Sequence, residues 1–165
     1  VAPQARVRVG ELIEGVVESL GQGAEAKDMK VIVDASEDTP KVLGDSDLLV
    51  QVIRNLVENA IFYGRAGTQV TVTVRPMDRL AETGGPGVSV AVTDSGEGIA
   101  REHLPRLTER FYRADTARSR QLGGTGLGLA IVKHIINRHR GRLTIDSELG
   151  KGSVFTITLP AAGPK

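Results

Sequence analysis

Val88-Ser89-Val90-Ala91-Val92-Thr93-Asp94-Ser95-Gly96-Glu97-Gly98 alternates apolar and small polar residues, then ends in a carboxylate and two glycines. Period-two alternation over this length reads as a half-buried strand. A carboxylate at its end can accept a hydrogen bond from a flat ligand, with glycine keeping the backbone clear of it. Taken alone, the same residues read as a turn, since Asp and Gly are common turn formers.

Other segments fall into place on either side. Val9, Leu12, Ile13, Val16, Val17 and Leu20 recur at helical spacing, so a helix runs from Val9 into the twenties. Lys30 to Ala35 reads as a strand. Asp45 can cap a second helix, whose apolar face is Leu48, Leu49, Val52, Ile53, Leu56, Val57 and Ala60, ending about Tyr63. Val70, Val72 and Val74 alternate with Thr71 and Thr73 in a further strand. Asp78 to Gly87 is a polar connection, Pro105 to Phe111 a short helix, and Ala114 to Gly123 a basic stretch without periodicity that reads as a mobile loop. A third long helix opens near Thr125 and runs to about Arg140. Leu143 and Ile145 lie on one strand, and Phe155, Ile157 and Leu159 on another, with Gly150-Lys151-Gly152 turning the chain between them. This order predicts an α/β (α+β) two-layer sandwich, a mixed and mainly antiparallel sheet covered on one face by three long helices. Residues 1–165 read as a single domain with its core over 9–160.

Two more polar interruptions accompany the strand end. Asn55, Asn59 and Tyr63 share one stripe of the second helix, and Asn59 falls between Val52 and Leu56 on the apolar face. An amide there either finds backbone partners or offers its oxygen to a cation; Mg²⁺ takes oxygen ligands and keeps several waters. Gly123-Gly124-Thr125-Gly126-Leu127-Gly128-Leu129 opens the third helix, where free N–H groups and the helix dipole suit an anion. No Gly-Lys-Ser/Thr follows, so it is not a Walker A loop; glycine for close helix packing is the alternative reading.

Composition bounds the rest. The chain has 165 residues, 40% of them hydrophobic and 25% charged, with a net charge of +1, 20 glycines and no cysteine. The near-zero charge predicts no bulk affinity for nucleic acid or membrane surfaces, and the lack of cysteine excludes disulfides and thiolate metal sites. No apolar run reaches the roughly 20 residues that span a bilayer. The start at Val1-Ala2-Pro3, without Met, reads as an excised piece.

In order and spacing, the three motifs resemble the histidine kinase branch of the GHKL ATP-binding superfamily. Asn55 to Tyr63 is similar to its N box and Asp94 to Gly98 to its first glycine box. Phe111-Tyr112-Arg113 is similar to its F box, Gly124 to Leu129 to its second glycine box, and Gly150 to Ser153 to its final glycine turn. Arg110 to Asp115 and Gly124 to Val132 look like the phosphate-sensing and osmosensing kinases. The resemblance implies a Bergerat-type fold binding ATP and Mg²⁺. Asp94 would accept from the adenine amino group, with Gly96, Gly98 and Ile99 beside it and Tyr63 and Tyr112 packing near the nucleotide. Asn59, assisted by Asn55, would hold Mg²⁺, and Arg113 would reach the γ-phosphate. Arg118 and Arg120 would contact phosphate or stay solvated. Gly124, Thr125, Gly126, Leu127, Gly128 and Leu129 would bring a helix N-terminus to the phosphates.

Superfamily ATPases carry glutamate where this chain has Asn55, and an amide cannot act as a general base, so hydrolysis is expected to be slow. The nucleophile would be a histidine on a separate dimerisation hairpin of the same kinase, with a response regulator downstream. His103, His134 and His139 lack the phosphoacceptor context, and His134 and His139 read as surface or groove residues. By itself the chain is expected to be a monomer that binds ATP without phosphorylating itself, the cytoplasmic part of a homodimeric parent anchored in the inner membrane. One departure is Phe62, where the family usually has Lys or Arg; it favours the alternative of a degenerate scaffold with weak nucleotide binding. A GHKL ATPase is the other alternative.

Overall fold

The computed structural model describes residues 5–81, 83–98 and 128–163. In chain order these form β1 (Ala5–Val7), α1 (Val9–Ala26), β2 (Lys30–Ala35), β3 (Val42–Gly44), α2 (Ser46–Tyr63), β4 (Gln69–Met77) and β5 (Gly87–Asp94), followed by α3 (Gly128–Arg138), β6 (Arg142–Glu148) and β7 (Gly152–Pro160). The short helix expected over Pro105–Phe111 and the basic stretch 114–123 lie outside the described residues.

Five strands make one sheet in the order β2-β4-β5-β7-β6. β2 and β4 pair in parallel because α2 carries the chain back between them; the remaining pairs are antiparallel. Register aligns the alternating residues into rows. Val33, Val72, Val92, Phe155 and Ile145 form one row, and Ala35, Val74, Val90, Ile157 and Leu143 the next. This face is covered by helices: α1 lies on β2 and α2, α2 on β5, and α3 on α2 and β6. The opposite face carries half-buried Thr71, Thr73, Ala91, Thr93, Thr156 and Thr158. The sandwich is therefore the one expected, with three helices on a mainly antiparallel sheet.

The helix faces match their periodicity. Val9, Ile13, Val16 and Ala24 of α1 are buried, as are Leu49, Val52, Ile53, Leu56, Val57 and Ala60 of α2 and Val132, Ile135 and Ile136 of α3. Asp45 caps α2, its Oδ1 accepting from the Leu48 N–H at 3.2 Å. Two helices end without glycine. After α1, Asp28 takes φ 57° and Met29 N–H bonds to Ala24 C=O at 2.9 Å. After α3, Arg140 takes φ 60° and Gly141 N–H bonds to Ile136 C=O at 2.9 Å. Both are Schellman closures with a left-handed non-glycine residue, so α3 stops two residues short of the expected Arg140.

Two features depart from the sequence reading. β1 and β3 form a second, two-stranded antiparallel sheet that alternation did not reveal, each strand being 3 residues long. His139 is buried, not a surface residue. Its Nε2 accepts from the Asp45 N–H at 3.1 Å, so Nδ1 carries the proton and donates to the Ile135 carbonyl at 2.8 Å. The imidazole ties the end of α3 to the N-cap of α2, which is why a polar ring is tolerated there. His134 is exposed, as expected.

Candidate functional site

Asp94 is the last residue of β5 and keeps its alternation, so its side chain falls on the helix-covered face with Val88, Val90 and Val92. It is only 4% exposed. Its Oδ1 accepts from the Gly96 N–H at 2.9 Å. Burial raises the Asp94 pKa above its ordinary 3.8; hydrogen bonds from the Gly96 and Ser153 backbone and the charge of Lys27 oppose that rise without cancelling it.

The glycines around Asp94 serve contacts within the protein. A Cβ on Gly96 would collide with the Tyr63 carbonyl oxygen at the end of α2. Gly98 has φ +77°, and a Cβ there would strike the Glu148 carbonyl. Gly152 has φ +124°, and a Cβ there would strike the carbonyl of Asp94 itself. The Gly150 N–H donates to the Glu97 carbonyl at 2.7 Å, closing the β6–β7 hairpin onto the 94–98 turn. Bare backbone is thus needed on both sides of the carboxylate because three chain segments meet there.

Asn55, Asn59 and Tyr63 are half-buried along α2. Tyr63 stands edge-on to Phe62, with ring centroids 4.7 Å apart and planes at 73°. At the other end of the stripe, a Cβ built on Gly128 would lie 3.9 Å from Asn55 Cγ, so the first described turn of α3 meets the N-terminal member of the asparagine pair. Leu129 is half-buried beside it. The structure therefore brings Tyr63, Asp94 and Gly96 together where α2 ends against β5, with Gly98 in the same turn, and brings Gly128 to Asn55 two turns back along α2, with half-buried Asn59 between the two places. Ile99, Tyr112, Arg113, Arg118, Arg120, Gly124, Thr125, Gly126 and Leu127 lie outside the described residues. Among the described residues no three His, Cys, Asp or Glu side chains cluster so as to hold a metal ion, and no helix is long and apolar enough to cross a membrane.

Two neighbours of Asp94 were not among the site residues expected from the sequence. Ser153 pairs with Asp94 in register, is buried, and has its hydroxyl 2.8 Å from that of Ser147; its place after Gly150-Lys151-Gly152 was the available signal. Lys27 lies in a polar stretch with no motif to flag it. Its Nζ donates to the carbonyl oxygens of Ile61 and Phe62, each at 2.6 Å.

A family model described as histidine kinase-, DNA gyrase B-, and HSP90-like ATPase matches residues 44–163. The sensor-like histidine kinase SenX3 of Mycolicibacterium smegmatis is 49% identical over 120 residues, which cover 73% of this chain and 29% of that protein. SenX3 of Mycobacterium tuberculosis is 43% identical over 155 residues, covering 94% and 36%. The phosphate regulon sensor protein PhoR of Pseudomonas aeruginosa is 38% identical over 148 residues, covering 87% and 32%. Among solved structures, the mycobacterial sensor histidine kinase MprB superposes with a TM-score of 0.79 at 28% identity, covering 96% of this chain and 97% of that one. Full-length ShkA in complex with AMPPNP gives 0.79 at 29% identity, covering 97% and 31%. The chain belongs to the histidine kinase-, DNA gyrase B- and HSP90-like ATPase family, as a catalytic domain of the sensor histidine kinase type. It spans 29% to 36% of the length of the SenX3 proteins it matches.

Proposed function

We propose that this chain binds Mg²⁺-ATP and positions the γ-phosphate for transfer to a histidine on a separate helical hairpin of the same kinase, the autophosphorylation step of two-component signalling. The observation that carries the reading is Asp94, a carboxylate buried at the end of β5 against the last turn of α2 and oriented by the Gly96 N–H. Such a group accepts from an exocyclic amino group and repels a carbonyl oxygen, which favours adenine over guanine. Asn59 and Asn55 present amide oxygens suited to Mg²⁺, which would neutralise phosphate charge. Gly128, in the first described turn of α3, lies beside Asn55, which supports phosphates held between α2 and the glycine-rich segment that leads into α3.

In the transfer, a histidine imidazole nitrogen attacks the γ-phosphorus in line. The bond to the bridging oxygen breaks, ADP leaves, and the ring proton passes to solvent. Positioning and charge neutralisation supply most of the catalysis such a reaction needs. Asn55 has no basic oxygen with which to activate water, so hydrolysis without the acceptor stays slow. In the parent protein the domain works beside its own phosphoacceptor hairpin in a membrane-anchored homodimer and serves a response regulator.

Calorimetric titration of ATP and ADP, with and without Mg²⁺, tests this on the wild type and Asp94→Asn. Micromolar to sub-millimolar binding by the wild type, weakened at least about tenfold in the variant, is expected from the loss of a hydrogen bond to a charged group. A folded wild type that binds neither nucleotide at millimolar concentration overturns the reading.

A further inference from the structure

Lys27 lies at the C-cap of α1 and reaches across to the end of α2. Ile61 and Phe62 belong to the last turn of that helix, whose carbonyl groups have no acceptor role inside the helix and sit at the negative end of its dipole. One ammonium occupies that position, donating to both carbonyls at 2.6 Å. The backbone of Lys27 is fixed in turn. Its N–H bonds to Ala24 C=O at 3.0 Å, and the left-handed Asp28 closes the helix behind it. Tyr63 follows Phe62, and its carbonyl packs against Gly96, the residue whose N–H orients Asp94. A continuous line of contacts runs from the end of α1, through the end of α2, to the carboxylate.

The same ammonium acts on Asp94 through space. The groups that favour ionised Asp94 are the Gly96 N–H beyond the strand end, the Ser153 N–H on β7 and the Lys27 charge from α1; burial works against all three. A carboxylate that must accept from an amino group has to stay ionised, so whatever offsets its burial affects binding directly.

We propose that Lys27 is a positioning residue of the adenine pocket, which anchors the last turn of α2 against the Gly96 turn and places a positive charge near Asp94, thereby setting adenine-nucleotide affinity. This inference rests on the nucleotide-binding reading above. Lys27 acts through Tyr63 and Asp94, not by touching the nucleotide.

The test compares ADP binding by wild type, Lys27→Gln and Lys27→Arg, measured calorimetrically from neutral pH down towards the carboxylate range, with circular dichroism to check folding. The phosphates of ADP titrate alike in every sample, so differences between proteins report on the protein. Lys27→Gln keeps a donor and loses the charge; binding roughly tenfold weaker is expected, with affinity lost at a higher pH than in the wild type. Lys27→Arg keeps the charge and two donors and should bind within about threefold of the wild type. A role confined to stability would lower the melting temperature of Lys27→Gln and leave the pH at which binding fails unchanged. That result overturns the proposal, as does a folded Lys27→Gln with wild-type affinity. A folded Lys27→Arg that loses binding overturns it too, and decides the matter should Lys27→Gln not fold. A wild type that does not bind ADP fails the nucleotide reading itself, a distinct outcome.

Discussion

Replacing Gly96 with alanine drives a methyl group into the Tyr63 carbonyl oxygen, 2.9 Å from Asp94 Oδ1 and 3.0 Å from the Tyr63 carbonyl carbon. None of these atoms is the end of a flexible chain; two belong to backbone, and the third to a buried carboxylate. Relief requires the turn to retreat from α2 by on the order of 1 Å, and added methyl groups in packed sites cost about 1–3 kcal/mol. The Gly96 N–H to Asp94 bond starts at 2.9 Å, so the same retreat carries it out of hydrogen-bond range. Asp94 then loses a donor while remaining buried, and its pKa rises further. ADP affinity should fall at least about tenfold, and the melting temperature should drop by about 3 °C for each kcal/mol lost. Gly15→Ala is the control. Gly15 lies inside α1 with nothing within 4 Å of an added Cβ, so the substitution should stabilise by about 0.5–1 kcal/mol and leave ADP binding alone. Thermal unfolding and calorimetry read both effects. Wild-type affinity and stability in Gly96→Ala would refute the claim that the turn and the end of α2 are packed into contact.

His139→Leu should destabilise by about 1 kcal/mol despite its apolar replacement, because the part-buried Asp45 N–H loses its acceptor; chemical denaturation measures this, and an unchanged midpoint refutes it. The pH dependence of apo-protein stability should report Asp94. Its folded pKa is raised, so its favourable contribution is full below 3.8 and is lost as pH rises through the folded value. The melting temperature of the wild type minus that of Asp94→Asn should therefore increase on acidification, since asparagine does not titrate; a difference that is flat or shrinks counts against a raised pKa.

Most of the sandwich is legible where one period runs unbroken. The apolar stripe of α2 and its Asp45 cap, and the valine alternation of β4 and β5, appear in the structure as read. Reading failed where the deciding partner lies far along the chain. β1 and β3 are too short to show alternation, and they exist through pairing with each other and the Val42–Ala161 bridge. Asp28 and Arg140 stop helices in the left-handed conformation that sequence patterns reserve for glycine or asparagine. His139 is polar, and its burial is tolerable because the Asp45 N–H and the Ile135 carbonyl satisfy its two ring nitrogens. At the site, the period of β5 already carries Asp94 onto the covered face, so its burial was open to inference. The glycines beside it were legible as a site where backbone comes close; that the close neighbours are Tyr63, Glu148 and Asp94 required the tertiary structure. Lys27 has no local signature, since its role depends on the ends of two helices meeting.

The pairing of Asp94 with Ser153 bears on how the molecule reaches its native state. β5 and β7 are joined across a long intervening sequence, whereas β4–β5 and β6–β7 are neighbouring hairpins. Contacts of large sequence separation incur their loop-closure entropy before they are rewarded, and they slow folding. The two hairpins can form early, but the surroundings of Asp94 are complete only once β5 and β7 zip together. A nucleotide that recognises this carboxylate would then bind the fully assembled chain and no partly folded precursor, raising the unfolding barrier and leaving the initial folding rate unchanged.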